Sequence, residues 1–218
     1  SYFLDISSAI ETETFSIEDF SYFKSNDQGF ICQLNSFVFE LPLIGSFNLS
    51  NAMAAYKSVK SLGYDDDTLI PKLAELSPPP GRMQKLAKKN IWIDYAHTPD
   101  ALLNAVITLQ DHYPDYRIRL VFGCGGDRDK TKRQIMGKIA SENAHSIIIT
   151  NDNPRSEEPG KIIDDILAGI KVENDFQVIL DRKKAIISAV TTLDENEVLL
   201  IARKGHETTQ TIGSQILP

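Results

Sequence analysis

The sequence is poor in cysteine, in basic charge and in long apolar runs, and each shortage closes off a class of function. Its two cysteines, Cys32 and Cys124, stand far apart and without CxxC spacing. A disulfide framework and a structural zinc site are therefore not expected, and the cytoplasm is the expected compartment. HxxxH spacing is absent too, so no metal site is expected from this segment. No apolar run approaches the roughly 20 residues that span a bilayer, so no membrane partner is expected. Lys and Arg total 23 against 30 Asp and Glu, a formal net charge of −7. A nucleic-acid binder normally shows a basic face, so no nucleic-acid partner is expected either. Small anionic ligands are not excluded, because local groups rather than net charge hold them. Neither a GxxxxGK[ST] P-loop nor a GxSxG nucleophile elbow occurs. The start, Ser1-Tyr2-Phe3-Leu4-Asp5, lacks Met and the basic and apolar stretches of a signal peptide, and reads like the inside of a strand. The expectation is a fragment of a longer chain. What is present is 218 residues, 42% of them hydrophobic, enough for one large domain or two modest ones.

The pattern changes at Ser77-Pro78-Pro79-Pro80-Gly81, where three prolines and a glycine cannot continue a helix or a central strand. Before this boundary, residues 1–25 alternate weakly. Phe30–Leu34 and Phe37–Leu41 are β-rich runs around Asn35-Ser36, which predicts a hairpin. A helix is predicted over 50–62, with Met53, Ala54, Tyr56, Val59 and Leu62 as its apolar stripe and Gly63 at its stop. A short helix over 66–76 follows. After the boundary, strands are predicted at 91–93, 118–122, 146–150, 177–180 and 198–202. Helices at 99–112, 130–143, 159–170 and 183–193 lie between them. The strands are apolar runs without polar alternation, as when both faces are covered. Such alternation gives an α/β fold with a mostly parallel sheet and right-handed crossovers.

The polar motifs follow the C-terminal ends of these strands: Asp94–Asp100, Gly123–Lys130, Asn151–Arg155 and Arg203–Glu207. In open α/β sheets that rim is where ligands bind, and four such loops can converge on one ligand. Gly123-Cys124-Gly125-Gly126 lets backbone amides approach an anion at a helix start, with Arg128, Lys130, Lys132 and Arg133 adding positive charge. A plain tight turn is the competing reading. In Asp152-Asn153-Pro154-Arg155, the Asp and Asn can orient an ammonium or amide, and Arg155 can hold a carboxylate bidentately. The alternative is an Asx-type turn with Arg155 paired to Glu157 or Glu158. Glu207 offers a carboxylate to an amino group, or else belongs to a solvated loop. His97 lies on the same rim, whereas His112 and His145 carry no motif.

Six motifs in order carry a family resemblance from about Leu43 onward. They are Gly45–Asn51, Gly81-Arg82-Met83, Asp94–Leu102, Gly123–Lys130, Asp152–Arg155 and Lys204–Glu207. With them the chain resembles the Mur ligases of peptidoglycan synthesis. The resemblance implies that residues 1–80 are the end of a central α/β ATPase domain and 81–218 a C-terminal Rossmann-like domain that brings the amino acid. It implies ATP-dependent amide formation between UDP-N-acetylmuramoyl-L-alanyl-D-glutamate and meso-2,6-diaminopimelate through an acyl phosphate, with ATP and Mg2+ required. The Mg2+ ligands and the P-loop would lie in the missing part, so the fragment alone is expected to be inactive. By resemblance Asn48, Asn51, Arg82, Asp94 and His97 serve ATP. Arg128, Asp152, Asn153, Pro154, Arg155, Arg203 and Glu207 meet diaminopimelate. A monomer is the implied state. L-Lysine as the amino acid, or a non-catalytic amino-acid-binding module, are the alternatives. One departure stands out: the family usually has Gly where this chain has Arg203, and its backbone contacts the substrate. The Arg203 side chain must then point away or meet a carboxylate.

Overall fold

The structure, a computed structural model, describes residues 12–86, 90–203, 209–212 and 215–217. The strand-like start and residues 204–208, with Glu207, lie outside the described residues. The chain divides into two compact units, Ser1–Ser77 and Pro78–Pro218.

In the first unit, strands β1 (Tyr22–Asn26), β2 (Gly29–Leu34) and β3 (Phe37–Leu41) form an antiparallel sheet in that order. Phe30 pairs with Leu41 and Leu34 with Phe37, so the hairpin turns on Asn35-Ser36 as the sequence predicts. Asn35 adopts a φ of 53°, which a short polar side chain tolerates better than a branched one. Helix α1 runs over Ser46–Lys60 and starts four residues earlier than predicted. Gly45, with φ 88°, swings the chain into the helix without a side-chain cap, and so the usual capping signal is missing. Its buried residues are Leu49, Ala52, Met53 and Tyr56. The predicted stripe is thus displaced towards the N-terminus: Leu62 is 75% exposed and Val59 also lies at the surface. Helix α2 (Asp66–Ala74) is capped by the Asp65 carboxylate, which accepts from Thr68 N–H, and adds Ile70 and Leu73 to a core with Phe20, Cys32, Leu41 and Met53.

The second unit has a six-stranded sheet in the order β4-β5-β9-β6-β7-β8, where β4 is Gln84–Leu86, β5 Ile91–Asp94, β6 Arg117–Phe122, β7 Ser146–Ile149, β8 Asp175–Val178 and β9 Glu197–Ala202. Only β4, an edge strand not predicted, runs antiparallel. Helices α3 (Pro99–His112), α4 (Thr131–Asn143), α5 (Pro159–Leu167) and α6 (Arg182–Thr191) make the crossovers. On one sheet face Ile91, Val121, Ile148, Leu199 and Ile201 pack on Ala185 and Ala189 of α6. The alternate residues Leu120, Phe122, Ile147, Ile149 and Leu200 are fully buried and point to the other face. Covering both faces explains the apolar runs 120–122 of β6, 147–149 of β7 and 198–202 of β9. Strand β8 departs from that expectation: all four of its residues are exposed, because it is the sheet edge. It also sits two residues before its predicted place. The pairing nevertheless continues past it, since Ile179 N–H donates to Ile149 O at 3.0 Å. A short antiparallel pair, β10 (Gln210–Ile212) and β11 (Gln215–Leu217), ends the described chain.

In this order β9 lies between β5 and β6. The C-terminal ends of β5, β9, β6 and β7 are therefore successive neighbours, and their loops share one rim of the second unit.

Candidate functional site

That rim holds a cavity of about 450 Å³. The loop after β5 lines it with Tyr95, His97 and Thr98, and the loop after β6 with Arg128, Asp129 and Lys132. Asp152, Asn153 and Arg155 come from the loop after β7, and Arg203 from the end of β9. Of the site residues expected from the sequence, the structure brings together His97, Arg128, Asp152, Asn153, Arg155 and Arg203. Pro154 is buried beside them in the same loop. Arg82 and Asp94 are not among the residues that line it, and Asn48 and Asn51 belong to the first unit. In that unit Asn48 Nδ2 donates to Ile44 O at 2.7 Å and Asn51 Nδ2 donates to Asn48 Oδ1 at 3.3 Å.

Each loop is fixed by local chemistry. After β5, Thr98 caps α3 by accepting from Ala101 N–H, and Pro99 opens the helix. The Asp94 carboxylate is buried and accepts from Met83 N–H at 2.9 Å and Ala96 N–H at 2.7 Å. Burial raises its pKa against the pull of these two amides. Asp94 thus ties the Gly81–Met83 segment to the rim, and Arg82 stacks over the Tyr95 ring, 4.8 Å from its centroid.

The glycine-rich loop spends amides on the neighbouring loop. Gly126 N–H donates to Asn153 O at 2.9 Å, and Asp127 N–H to the Glu157 carboxylate at 2.6 Å. These amides are thus taken up within the protein. A Cβ on Gly126 would stand 1.9 Å from Pro154 O, so the missing side chain is what lets this loop lie against the 152–155 loop. At the start of α4 the Asp129 carboxylate accepts from Thr131 N–H and its hydroxyl, in place of an external anion. Two of the four cations expected to face a ligand are also spent internally. Arg133 is fully buried and donates to Glu157 and Asp165, while Lys130 pairs with Glu157 at 3.2 Å. Arg128 and Lys132 do line the cavity. Lys132 Nζ donates to His97 O at 3.1 Å, and burial, then the Arg203 charge, lower its pKa.

Glu157 and Glu158 are therefore not partners of Arg155; Glu158 lies 3.7 Å from Lys161. Arg155 instead donates through Nη1 to Gly126 O at 2.7 Å, and its backbone holds a φ of 51°. Arg203, with φ 83° and 7% exposure, meets a carboxylate: Nε donates to Asp152 Oδ2 at 2.5 Å. A non-glycine residue in this region costs about 1–2 kcal/mol. Cys124, the buried cysteine of this loop, has its thiol pushed up to about 11 by burial, which removes it as a nucleophile. Lys132 was expected among the cations after the glycines, whereas Tyr95, Thr98 and Asp129 were not among the expected site residues. Tyr95 and Thr98 sit inside the Asp94–Asp100 motif, so a signal for them existed.

The cavity lining carries four cations, Arg128, Lys132, Arg155 and Arg203, against two carboxylates, Asp129 and Asp152. Such a site favours a carboxylate-bearing ligand of modest size. Among the described residues no group of three or more His, Cys, Asp or Glu could hold a metal ion, and no helix is long and apolar enough to cross a membrane.

Comparison with known proteins finds relatives over most of the chain. Residues 81–205 match the family described as Mur ligase, glutamate ligase domain. The chain is 42% identical over 196 residues to a UDP-N-acetylmuramoyl-L-alanyl-D-glutamate–2,6-diaminopimelate ligase of Rickettsia felis, covering 89% of this chain and 37% of that protein. It is 48% identical over 183 residues to the ligase of the same name from Coxiella burnetii, covering 83% and 37%. A solved structure of a UDP-N-acetylmuramoyl-L-alanyl-D-glutamate–2,6-diaminopimelate ligase superposes with a TM-score of 0.65 at 35% identity, over 90% of this chain and 42% of that one. The chain thus spans well under half the length of the relatives it matches. With the family match covering more than half of the chain, the chain belongs to the Mur ligase family.

Proposed function

We propose that this chain is the amino-acid-binding part of an ATP-dependent ligase that joins meso-2,6-diaminopimelate to UDP-N-acetylmuramoyl-L-alanyl-D-glutamate. In this reading the second unit is the family's C-terminal domain and the first is the end of its central ATP-binding domain. The observation that carries the proposal is the cationic cavity on the rim, in a chain whose relatives bear that ligase name. Diaminopimelate has an amino acid group at each end, whereas L-lysine lacks the distal carboxylate. Arg155 is the natural partner for that carboxylate, with Arg128 beside it. Asn153 and Asp152 serve the polar groups of the substrate, and Glu207 the distal ammonium. Arg82, Asp94, His97, Asn48 and Asn51 serve ATP, Asp94 by fixing the amide of Met83.

The chemistry asked of this chain is positioning. The amine nitrogen of the bound amino acid attacks the carbonyl carbon of an acyl phosphate made from ATP. The new N–C bond replaces the C–O bond to phosphate, phosphate leaves, and the nitrogen gives up a proton. Mg2+ would assist the phosphoryl transfer; among the described residues no group of three or more His, Cys, Asp or Glu could hold it. The protein is read as a monomeric cytoplasmic enzyme without nucleic-acid or membrane partners.

The test is steady-state kinetics of the complete protein encoded around this chain, with both amino acids. Arg155→Ala should raise KM for meso-diaminopimelate at least about tenfold, roughly 1.4 kcal/mol of lost charge-assisted bonding. An unchanged KM would refute the assignment.

A further inference from the structure

Tyr95 lines the cavity without a part in the function proposed above, yet two groups assigned there to ATP converge on it. The Arg82 guanidinium stands over its ring, 4.8 Å from the centroid. The His97 ring lies 5.0 Å from the Tyr95 ring at an interplanar angle of 54°. His97 Nδ1 is also 3.2 Å from Tyr95 O. A carbonyl only accepts, so Nδ1 carries the proton there and Nε2 is the nitrogen left to face a ligand.

The main chain around Arg82 is fixed. Gly81 N–H donates to Gln84 Oε1 at 2.8 Å, Arg82 N–H to Pro79 O at 3.0 Å and Met83 N–H to the Asp94 carboxylate at 2.9 Å. The side chain is not fixed in that way. Arg82 is exposed, and among the described residues its guanidinium makes no hydrogen bond or salt bridge. Asp94 attracts it from beyond salt-bridge distance. A long exposed side chain samples many rotamers, and a ligand that needs one of them must order it. The Tyr95 ring supplies the orienting contact in advance. That contact uses none of the guanidinium N–H donors, which stay available to phosphate oxygens.

We propose that Tyr95 is a positioning residue for ATP: its ring holds the exposed Arg82 side chain where the guanidinium can meet an anionic group of the nucleotide. This deepens the function proposed above and rests on it for the ligand of Arg82.

The test measures equilibrium binding of ATP to the complete protein by calorimetry, in a double-mutant cycle of Tyr95→Leu and Arg82→Leu. Leucine removes the ring but keeps the backbone carbonyl that holds His97, so the loss falls on Arg82. Tyr95→Leu alone should weaken ATP binding at least about fivefold. In the Arg82→Leu background the same change should weaken it less than about twofold. Tyr95→Phe keeps the ring and should bind ATP within about twofold of wild type. A merely structural role makes the leucine penalty equal in both backgrounds. A penalty that shrinks by less than about twofold overturns the proposal, and so does a phenylalanine variant as weak as the leucine one. If Tyr95→Leu does not fold, Tyr95→Met, long and apolar but without a ring, takes its place in the cycle with the same expectations. Ligation assays on the same proteins separate this role from the proposed function. ATP binding without ligation of either amino acid refutes the function and leaves the cycle to decide about Tyr95. Ligation with ATP binding that ignores the ring refutes the role of Tyr95 alone. A wild type that binds no ATP refutes both.

Discussion

Replacing Arg133 by methionine tests what holds the rim loops in place. The guanidinium is fully buried on α4 and donates to both Glu157 oxygens at 2.8 and 3.0 Å, to Asp165 at 2.9 Å and to Gly125 O at 3.2 Å. It therefore joins α4 and α5 to the loops after β6 and β7. Methionine fills much of the space of the stem and removes every one of these bonds. Removing one partner of a buried ion pair costs about 3–5 kcal/mol. Here Glu157 keeps Lys130 and the Asp127 amide, and the Asp165 side chain is 44% exposed, which points to the lower end, about 3 kcal/mol. For a unit of this size that is a fall of about 10 °C in Tm. Urea denaturation followed by fluorescence isolates the second unit, because Trp92 is the chain's one tryptophan. The pH dependence supplies a sign. Arg133, then the Asp127 amide, draw the Glu157 carboxyl from 4.5 down to about 2. Its folded pKa is depressed, so its contribution is full above about pH 4.5 and fades as pH falls towards 2. In Arg133→Met that depression is largely gone, so the gap between wild type and variant should narrow on acidification through this window. A loss under about 1 kcal/mol at pH 7, or a gap that stays constant between pH 5 and pH 3, would refute the reasoning.

Two further changes probe the rim without touching its cations. Gly126→Ala places a methyl 1.9 Å from Pro154 O and should cost about 1–3 kcal/mol in the same urea titration, with a higher KM for the amino acid as the Arg155–Gly126 bond shifts. Wild-type stability and KM would show that the loops part freely. Asp94→Asn leaves one oxygen to serve two amides, Met83 and Ala96, and turns an NH2 group towards the other. A loss of about 1–3 kcal/mol is expected in spite of the relieved burial of charge, and a stabilised variant would overturn this account of Asp94.

Burial decided how much of the fold could be read from sequence. Strands β6, β7 and β9 are covered on both faces, so each carries an apolar run, at 120–122, 147–149 and 198–202. Helix α3 announces itself by Thr98 and Pro99, and its bounds are those predicted. The edges were harder. Strand β4 is a three-residue run with Lys85 at its centre, and β8 is exposed throughout, so neither has the apolar signature of a covered strand. Helix α1 began early for a different reason, since a glycine with positive φ replaced the side-chain cap that marks most helix starts.

The candidate site was legible at the level of topology and less so at the level of single charges. Motifs after four parallel strands had to share a rim once β9 lay between β5 and β6. Which of Arg128, Lys130, Lys132 and Arg133 would face the cavity could not be read from the run itself. Their sorting depends on Glu157 and Asp165, which follow β7 in the chain. The glycines posed the same difficulty, because a loop that approaches a phosphate and one that approaches another loop need the same absence of Cβ. Backbone strain adds a last distinction. Of the non-glycine residues with positive φ, Asp127, Arg155 and Arg203 lie in the rim loops, and Met83 is the residue whose amide Asp94 holds. Such conformations persist only where the surroundings over-determine them, and here the surroundings are the contacts that aim Arg155 and Arg203 at the cavity.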